Sequence, residues 1–154
     1  MSEQKPLLGV RREGRELAMK LLYREAVTGL TDWAIPDLDE ARPASVDFAR
    51  SLVDGVRGTL ASIDDAISRA SEHWDIARMG AVDRTILRIG AYELMHTPET
   101  PVGAVINEAI DTARKYSSDE CGRFVNGVLD RIAREVRPTD GAQAEGADRC
   151  DTPS

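Results

Sequence analysis

Apolar residues recur every three or four positions along most of the chain. That spacing marks the faces of amphipathic helices. No segment alternates apolar and polar at period two beside a hairpin turn, so strand signals are nearly absent. A first helix is expected from about Arg11 to Val27, with Leu17, Ala18, Leu21 and Leu22 on one face and Gly29 as its stop. Residues 1–10 read as a flexible arm before it. Pro36 and Pro43 punctuate the next stretch, where a short helix around Trp33–Leu38 is followed by a loop. Ser45 is a candidate N-cap. From there Phe48, Leu52, Val56, Leu60, Ile63 and Ile67 keep helical spacing to about Trp74. One helix of about 30 residues would span roughly 45 Å. Gly55 and Gly58 either bend it or admit a neighbour closely.

A break near Asp75–Arg78 precedes a helix from about Ala81 to His96, carrying Val82, Ile86, Leu87, Ile89 and Leu94. The connector 97-TPETP-101 ends it. Thr100 can cap the next helix and Pro101 can occupy its first turn. That helix carries Val105, Ile106, Ala109, Ile110 and Ala113 and ends near Tyr116. Ser117-x-x-Glu120 has the capping-box pattern and opens a final helix that stops before Pro138. Residues 138–154 are polar, with a net charge of -3, and are expected to form a disordered acidic tail. There is no internal repeat or linker. The expectation is one all-α domain over residues 11–137, its helices packing on one another.

Composition narrows the class. The 154 residues suit one core. A net charge of -7, from 20 Lys+Arg against 27 Asp+Glu, argues against a protein that coats nucleic acid broadly. The charge is uneven: residues 1–25 hold six basic and four acidic side chains, and residues 26–75 hold four basic and ten acidic. No apolar run approaches the roughly 18 residues of a membrane span, and the start lacks a signal-peptide core. Cys121 and Cys150 are the two cysteines, which points to a reducing cytoplasm rather than a disulfide framework.

Catalytic motifs are missing: there is no phosphate-binding Gly-rich loop ending in Gly-Lys-Ser/Thr, no Cys-x-x-Cys and no Gly-x-Ser-x-Gly. His73 reads as a surface or capping residue rather than a base. Asp64 and Asp65 point about 100° apart on a helix, so a solvated acidic face is the better reading than a metal site. No cofactor is implied, and a hydrolase has no candidate constellation.

Binding chemistry is better supplied. Arg11, Arg12 and Arg15 cluster near the start of the first helix, where cations oppose the helix dipole. Either Arg12 pairs with Glu16 on an ordinary solvated helix end, or the group contacts phosphates. Arg114-Lys115-Tyr116 forms a second basic group, favoured by the dipole at a helix C-terminus, with a ring on which a base could stack. Arg123 and Phe124 follow. If the first and last helices are neighbours, these groups form one strip. Asn107 and Asn126 lie mid-helix, which is unfavourable. A structural hydrogen bond to a neighbouring element is preferred over direct ligand contact, with Gly127 as a point of close helix approach.

The runs 82-VDRTILRIGAYEL-94, 101-PVGAVINEAIDTARKYS-117 and 124-FVNGVLD-130, with 11-RREGRELAMKLLY-23 before them, resemble the NusB family of bacterial transcription antitermination factors. The resemblance covers about Arg11 to Pro138. It implies two packed helical bundles and no catalysis. It also implies pairing with a small-subunit ribosomal protein, NusE, and binding of single-stranded boxA RNA in rRNA leader transcripts, which nucleates an antitermination complex on RNA polymerase. On this resemblance Arg11, Arg12 and Arg15 are RNA-phosphate candidates, joined by Lys115, Tyr116 and Arg123. Tyr23, Asp83, Glu120 and Phe124 fall on the partner-facing surface, where acidic groups suit a basic ribosomal protein. Phe124 could equally pack in the core. Glu13-Gly14 interrupts the arginine run and thins the charge. Neutralising three or four phosphates would give a log–log salt slope of only about -2 to -3. Two rivals keep the fold: the RNA-binding domain of an rRNA cytosine methyltransferase, for whose cofactor domain the chain has no room, and a homodimer that packs apolar helix faces without RNA.

Overall fold

The computed structural model describes residues 4–72 and 74–138, with side chains from Gly9 onward. Those residues form seven α-helices and one short 3-10 turn, with no strand among them. The helices are α1 (Gln4–Thr28), α2 (Asp37–Glu40), α3 (Pro43–Gly58), α4 (Leu60–Ala70), α5 (Ala81–His96), α6 (Val102–Tyr116) and α7 (Asp119–Val136), with the 3-10 turn at Ile76–Arg78 between α4 and α5.

Two bundles share one helix. α1 lies along α3, while α6 and α7 form an antiparallel hairpin joined through Ser117 and Ser118. α5 packs against α1, α3, α4, α6 and α7 and so closes both bundles. Its central position explains why Thr85, Ile86, Leu87, Ile89, Gly90, Ala91, Glu93 and Leu94 are all buried. The α1–α3 half contributes Leu17, Ala18, Leu21, Leu52, Val53 and Val56 to the core, and the α7 half contributes Val125, Val128, Leu129 and Ile132.

Several expectations are corrected. The first helix begins at Gln4, not Arg11, so residues 4–10 are helical rather than an arm. Pro6 permits this because it falls in the first turn, where a missing N–H costs nothing. Arg11, Arg12 and Arg15 therefore sit well inside α1, and the argument from the dipole at its N-terminus does not apply to them. The short helix is shifted to Asp37–Glu40, leaving Trp33 and Ile35 in the preceding segment. The expected 30-residue helix is two helices, broken at Thr59, whose φ of -127° and ψ of 25° leave the helical region. Thr59 Oγ1 donates to the Gly55 carbonyl at 2.7 Å and closes the end of α3. Gly55 itself is a contact point: a Cβ there would lie 2.1 Å from Tyr92 Cζ.

Caps also moved. Pro43 opens α3, which places Ser45 inside the first turn. There its hydroxyl donates to Glu13 Oε1 at 2.6 Å instead of capping. Pro101, not Thr100, is the residue before α6. Ser118, not Ser117, caps α7, accepting from the Cys121 N–H at 3.0 Å, so no Ser117–Glu120 capping box forms. Asn107, Asn126 and Gly127 are exposed. Gly127 has nothing within 4 Å of where a Cβ would stand, so the expected close helix contact there is absent. His73, Cys150 and residues 139–154 of the expected tail lie outside the described residues, as do residues 1–3 of the expected arm.

Candidate nucleic-acid interface

Gly14 lets α1 approach α3: a Cβ there would stand 2.7 Å from Phe48 Cδ2 and 3.0 Å from the Ser45 carbonyl oxygen. This close crossing fixes the arginine-bearing face of α1. Arg11 and Arg15 both lie over the Phe48 ring, with their guanidinium carbons 4.9 and 5.5 Å from its centroid. On the other side, α1 meets α6. Between them opens a cleft of about 670 Å³ whose walls include Arg11, Arg12, Arg15, Pro101, Ala104 and Glu108.

The three arginines differ in their freedom. Arg11 is exposed and has no carboxylate partner among the described residues. Arg12 is 65% exposed but donates to Glu108 Oε2 at 2.9 Å, with Asp111 at 3.8 Å. The hydrogen bond and charge of Glu108 hold its guanidinium even more firmly protonated than usual. Arg15 is committed to the interior: only 11% of its side chain is exposed, and its Nε lies 2.8 Å from Glu93 Oε2. Arg12 thus does not form the expected pair with Glu16.

Glu16 instead joins α1 to the end of α6. It accepts from Lys115 Nζ and from Tyr116 Oη, each at 2.5 Å. Burial raises the Glu16 carboxyl, but these two hydrogen bonds and the nearby ammonium charges outweigh it and leave it below the usual carboxylate range. Tyr116 shifts the other way, its hydroxyl pushed up by burial and by Glu16. Its ring is no open stacking plate. It is half-buried, with Lys115 and Lys20 at 5.2 and 5.9 Å from its centroid. Arg123 is exposed and carries no ion pair among the described residues.

The four partner-surface candidates come from α1, α5 and α7, and α1 packs chiefly on α3 and α5 rather than on α7. A hollow of about 340 Å³ is lined by Met19, Lys20, Tyr23, Val82 and Tyr116, with Tyr23 38% exposed. Next to Val82, Asp83 Oδ1 accepts from Cys121 Sγ at 3.0 Å and from Ser117 Oγ at 3.5 Å. That contact carries the surface from α5 to the start of α7, where Glu120 is exposed. Phe124 is half-buried and packs on the core. Burial, then the bond to Asp83, pushes the Cys121 thiol up to about 12. The carboxylates Glu16, Glu93 and Glu108, which set the state of these cations, carry no sequence motif. Only Glu16 had a signal, and it pointed to the wrong partner.

No helix among the described residues is long and apolar enough to cross a membrane, and no group of three or more His, Cys, Asp or Glu there could hold a metal ion.

Comparison with known proteins places these elements in a family. The profile described as "NusB family" matches residues 12–134. A transcription antitermination protein NusB of Sorangium cellulosum is 41% identical over 140 residues, covering 86% of this chain and 98% of that protein. The protein of the same name from Myxococcus xanthus is 40% identical over 134 residues, covering 82% and 96%. Among solved structures, NusB of T. maritima superposes with a TM-score of 0.72 at 35% identity, covering 86% of this chain and 96% of that one. A chain in a structure of the antitermination factors NusB and NusE in complex with dsRNA gives a TM-score of 0.73 at 30% identity, covering 82% and 97%.

Proposed function

The chain belongs to the NusB family, and on that premise we propose that it is a transcription antitermination factor acting by binding rather than by catalysis. With a small-subunit ribosomal protein, NusE, it binds single-stranded boxA RNA in rRNA leader transcripts. The pair then nucleates an antitermination complex on RNA polymerase in the cytoplasm. The observation that carries this reading is the combination of the family match with the cleft between α1 and α6, where Arg11 and Arg12 stand exposed.

The residues divide by role. Arg11, Arg12 and Arg123 hold RNA phosphates, because their guanidinium groups are exposed and match phosphate oxygens in geometry. Arg15 positions α1 through Glu93. Lys115 and Tyr116 shape the edge of the interface through Glu16. The surface from Tyr23 through Asp83 and Glu120 to Phe124 receives the ribosomal protein. An exposed Tyr23 and a half-buried Phe124, with carboxylates beside them, suit a basic partner.

The test is a fluorescence-anisotropy titration of a short boxA RNA and a scrambled control, with and without the ribosomal partner. Tighter, sequence-dependent binding in the partner's presence is the expected result. Equal binding to both RNAs, unaffected by the partner, would remove the basis for this function.

A further inference from the structure

Asn107 and Asn126 stand on facing edges of the α6–α7 hairpin. The register follows from Gly122, whose missing Cβ would lie 3.3 Å from Arg114 Cγ and 3.5 Å from Ile110 Cγ2. Moving one turn back along α6 and one turn on along α7 brings Asn107 level with Asn126. At 100° per residue, Asn107 lies within about 60° of Ile110 and about 20° of Arg114 on α6. Asn126 lies about 40° from Gly122 on α7. Both therefore lie along the outer seam between the two helices, the shallow groove where their surfaces meet, on the exposed side.

Folding does not account for them. Asn is a poor helix-interior residue. Neither side chain is buried, and neither has a hydrogen-bond partner among the described residues. Gly103, one turn before Asn107, is also exposed and has nothing within 4 Å of its missing Cβ. Helix-weakening residues without internal contacts, gathered on one groove, indicate a surface kept for something outside the chain.

The groove's chemistry selects the occupant. A protein-docking site is anchored by exposed aromatic or large apolar groups. Among the described residues the exposed large apolar ones are Tyr23, Val27, Leu30, Leu60 and Trp74, none of which lies on α6 or α7. Phosphate binding alone would call for unpaired cations, but Arg114 faces Asp119 at 3.8 Å, leaving Arg123. Two free amides, each with donors and an acceptor in one plane, match the edges of unpaired bases. The groove also adjoins the arginine cleft. Ala104 and Glu108 line that cleft, and Asn107 lies between them in sequence on the next strip of α6. A strand leaving the cleft need cross only one helix, about 10 Å wide, to reach the groove.

We propose that the outer α6–α7 groove receives bases of single-stranded RNA and that Asn107 and Asn126 read their edges, while Arg11 and Arg12 hold the adjoining phosphates. This rests on the RNA-binding function proposed above and assigns the base-reading residues within it. Phosphate contacts set orientation, whereas base contacts set sequence preference.

The experiment compares the unmutated chain with Asn107→Ala, Asn126→Ala and the double variant. Each is titrated in the presence of the ribosomal partner with boxA RNA and with a panel carrying single-base changes. Circular dichroism checks that helicity is retained, as exposed Asn→Ala changes within helices should allow. The expected result for the double variant is about a tenfold loss of affinity for boxA RNA and collapse of discrimination across the panel, with the salt slope unchanged. Full discrimination in the double variant overturns the proposal while leaving RNA binding intact. Weaker binding of the ribosomal protein by these variants in the absence of RNA would make the groove a protein-docking face and also overturn it. Failure of the unmutated chain to bind any RNA would instead reject the underlying function, and the groove assignment with it.

Discussion

Arg15 of α1 and Glu93 of α5 form an ion pair at 2.8 Å with only 11% and 2% of their side chains exposed. The pair joins the two bundles through the central helix. It also separates Arg15 from its exposed neighbours Arg11 and Arg12, although the sequence places all three in one cluster. Removing one partner of a buried pair leaves an uncompensated charge and costs more than replacing both partners with apolar residues. Arg15→Met or Glu93→Leu alone is expected to cost about 3–5 kcal/mol. An Arg15→Met/Glu93→Leu double variant should cost far less than the sum of the singles. Urea denaturation of the four proteins checks this. Full additivity would mean that the pair contributes nothing as a unit.

Gly55 and Gly127 are both glycines in helices, yet their substitutions should have opposite signs. A Cβ on Gly55 would meet the Tyr92 ring within 2.1–2.4 Å. Gly55→Ala is therefore expected to destabilise the fold by about 1–3 kcal/mol through overpacking. Gly127 faces open space, so Gly127→Ala should stabilise by about 1 kcal/mol through helix propensity alone. Thermal melts of the two variants give the comparison directly.

This contrast shows what the sequence conveys and what it withholds. Helical periodicity placed α5 and α6 within a residue, because their apolar spacing is sharp and proline or a turn bounds them. It could not distinguish a glycine that admits a neighbour from one that faces solvent, since both interrupt an apolar pattern alike. The α3–α4 break was hidden for a similar reason: Leu60 and Ile63 keep the rhythm of α3 across Thr59. The basic residues were legible as a cluster. Their acidic partners Glu93 and Glu108, 78 and 96 positions away, were not, because pairing at that distance depends on tertiary packing.

Arg137 follows α7 and fastens the end of α5. Its guanidinium donates to the carbonyls of Leu94 and Glu93, each at 2.9 Å, Thr97 at 2.8 Å and Thr100 at 2.5 Å. These carbonyls lie at the end of α5 and in the loop after it; those of Glu93 and Thr97 also accept from the Thr97 and Thr100 N–H groups. Arg137→Met is expected to cost on the order of 3 kcal/mol. Arg137→Lys should recover only part of this, since an ammonium cannot reproduce the planar fork. Equal stability of the Lys and Arg forms in urea denaturation would contradict the geometry.

The Cys121 thiol, with its pKa pushed up to about 12 and its side chain buried, should be unreactive in the folded protein. In a Cys150→Ser background, iodoacetamide at pH 8 is expected to label Cys121 only as fast as the protein unfolds. Adding urea should accelerate labelling sharply. Rapid labelling without denaturant would mean that the Asp83–Cys121 contact opens in solution.

The most direct test of the central claim, that Arg11 and Arg12 bind RNA phosphates while Arg15 serves the fold, is the salt dependence of RNA affinity. Binding of boxA RNA in the presence of the ribosomal partner is measured across a range of salt concentrations for three proteins: unmutated, Arg11→Ala/Arg12→Ala, and Arg15→Met/Glu93→Leu. Each phosphate contact to a single strand contributes about -0.7 to the log–log slope. The account predicts that the first variant loses about 1.4 from the magnitude of the slope, while the second keeps it. An unchanged slope in Arg11→Ala/Arg12→Ala would contradict the assignment and place the RNA elsewhere on the molecule.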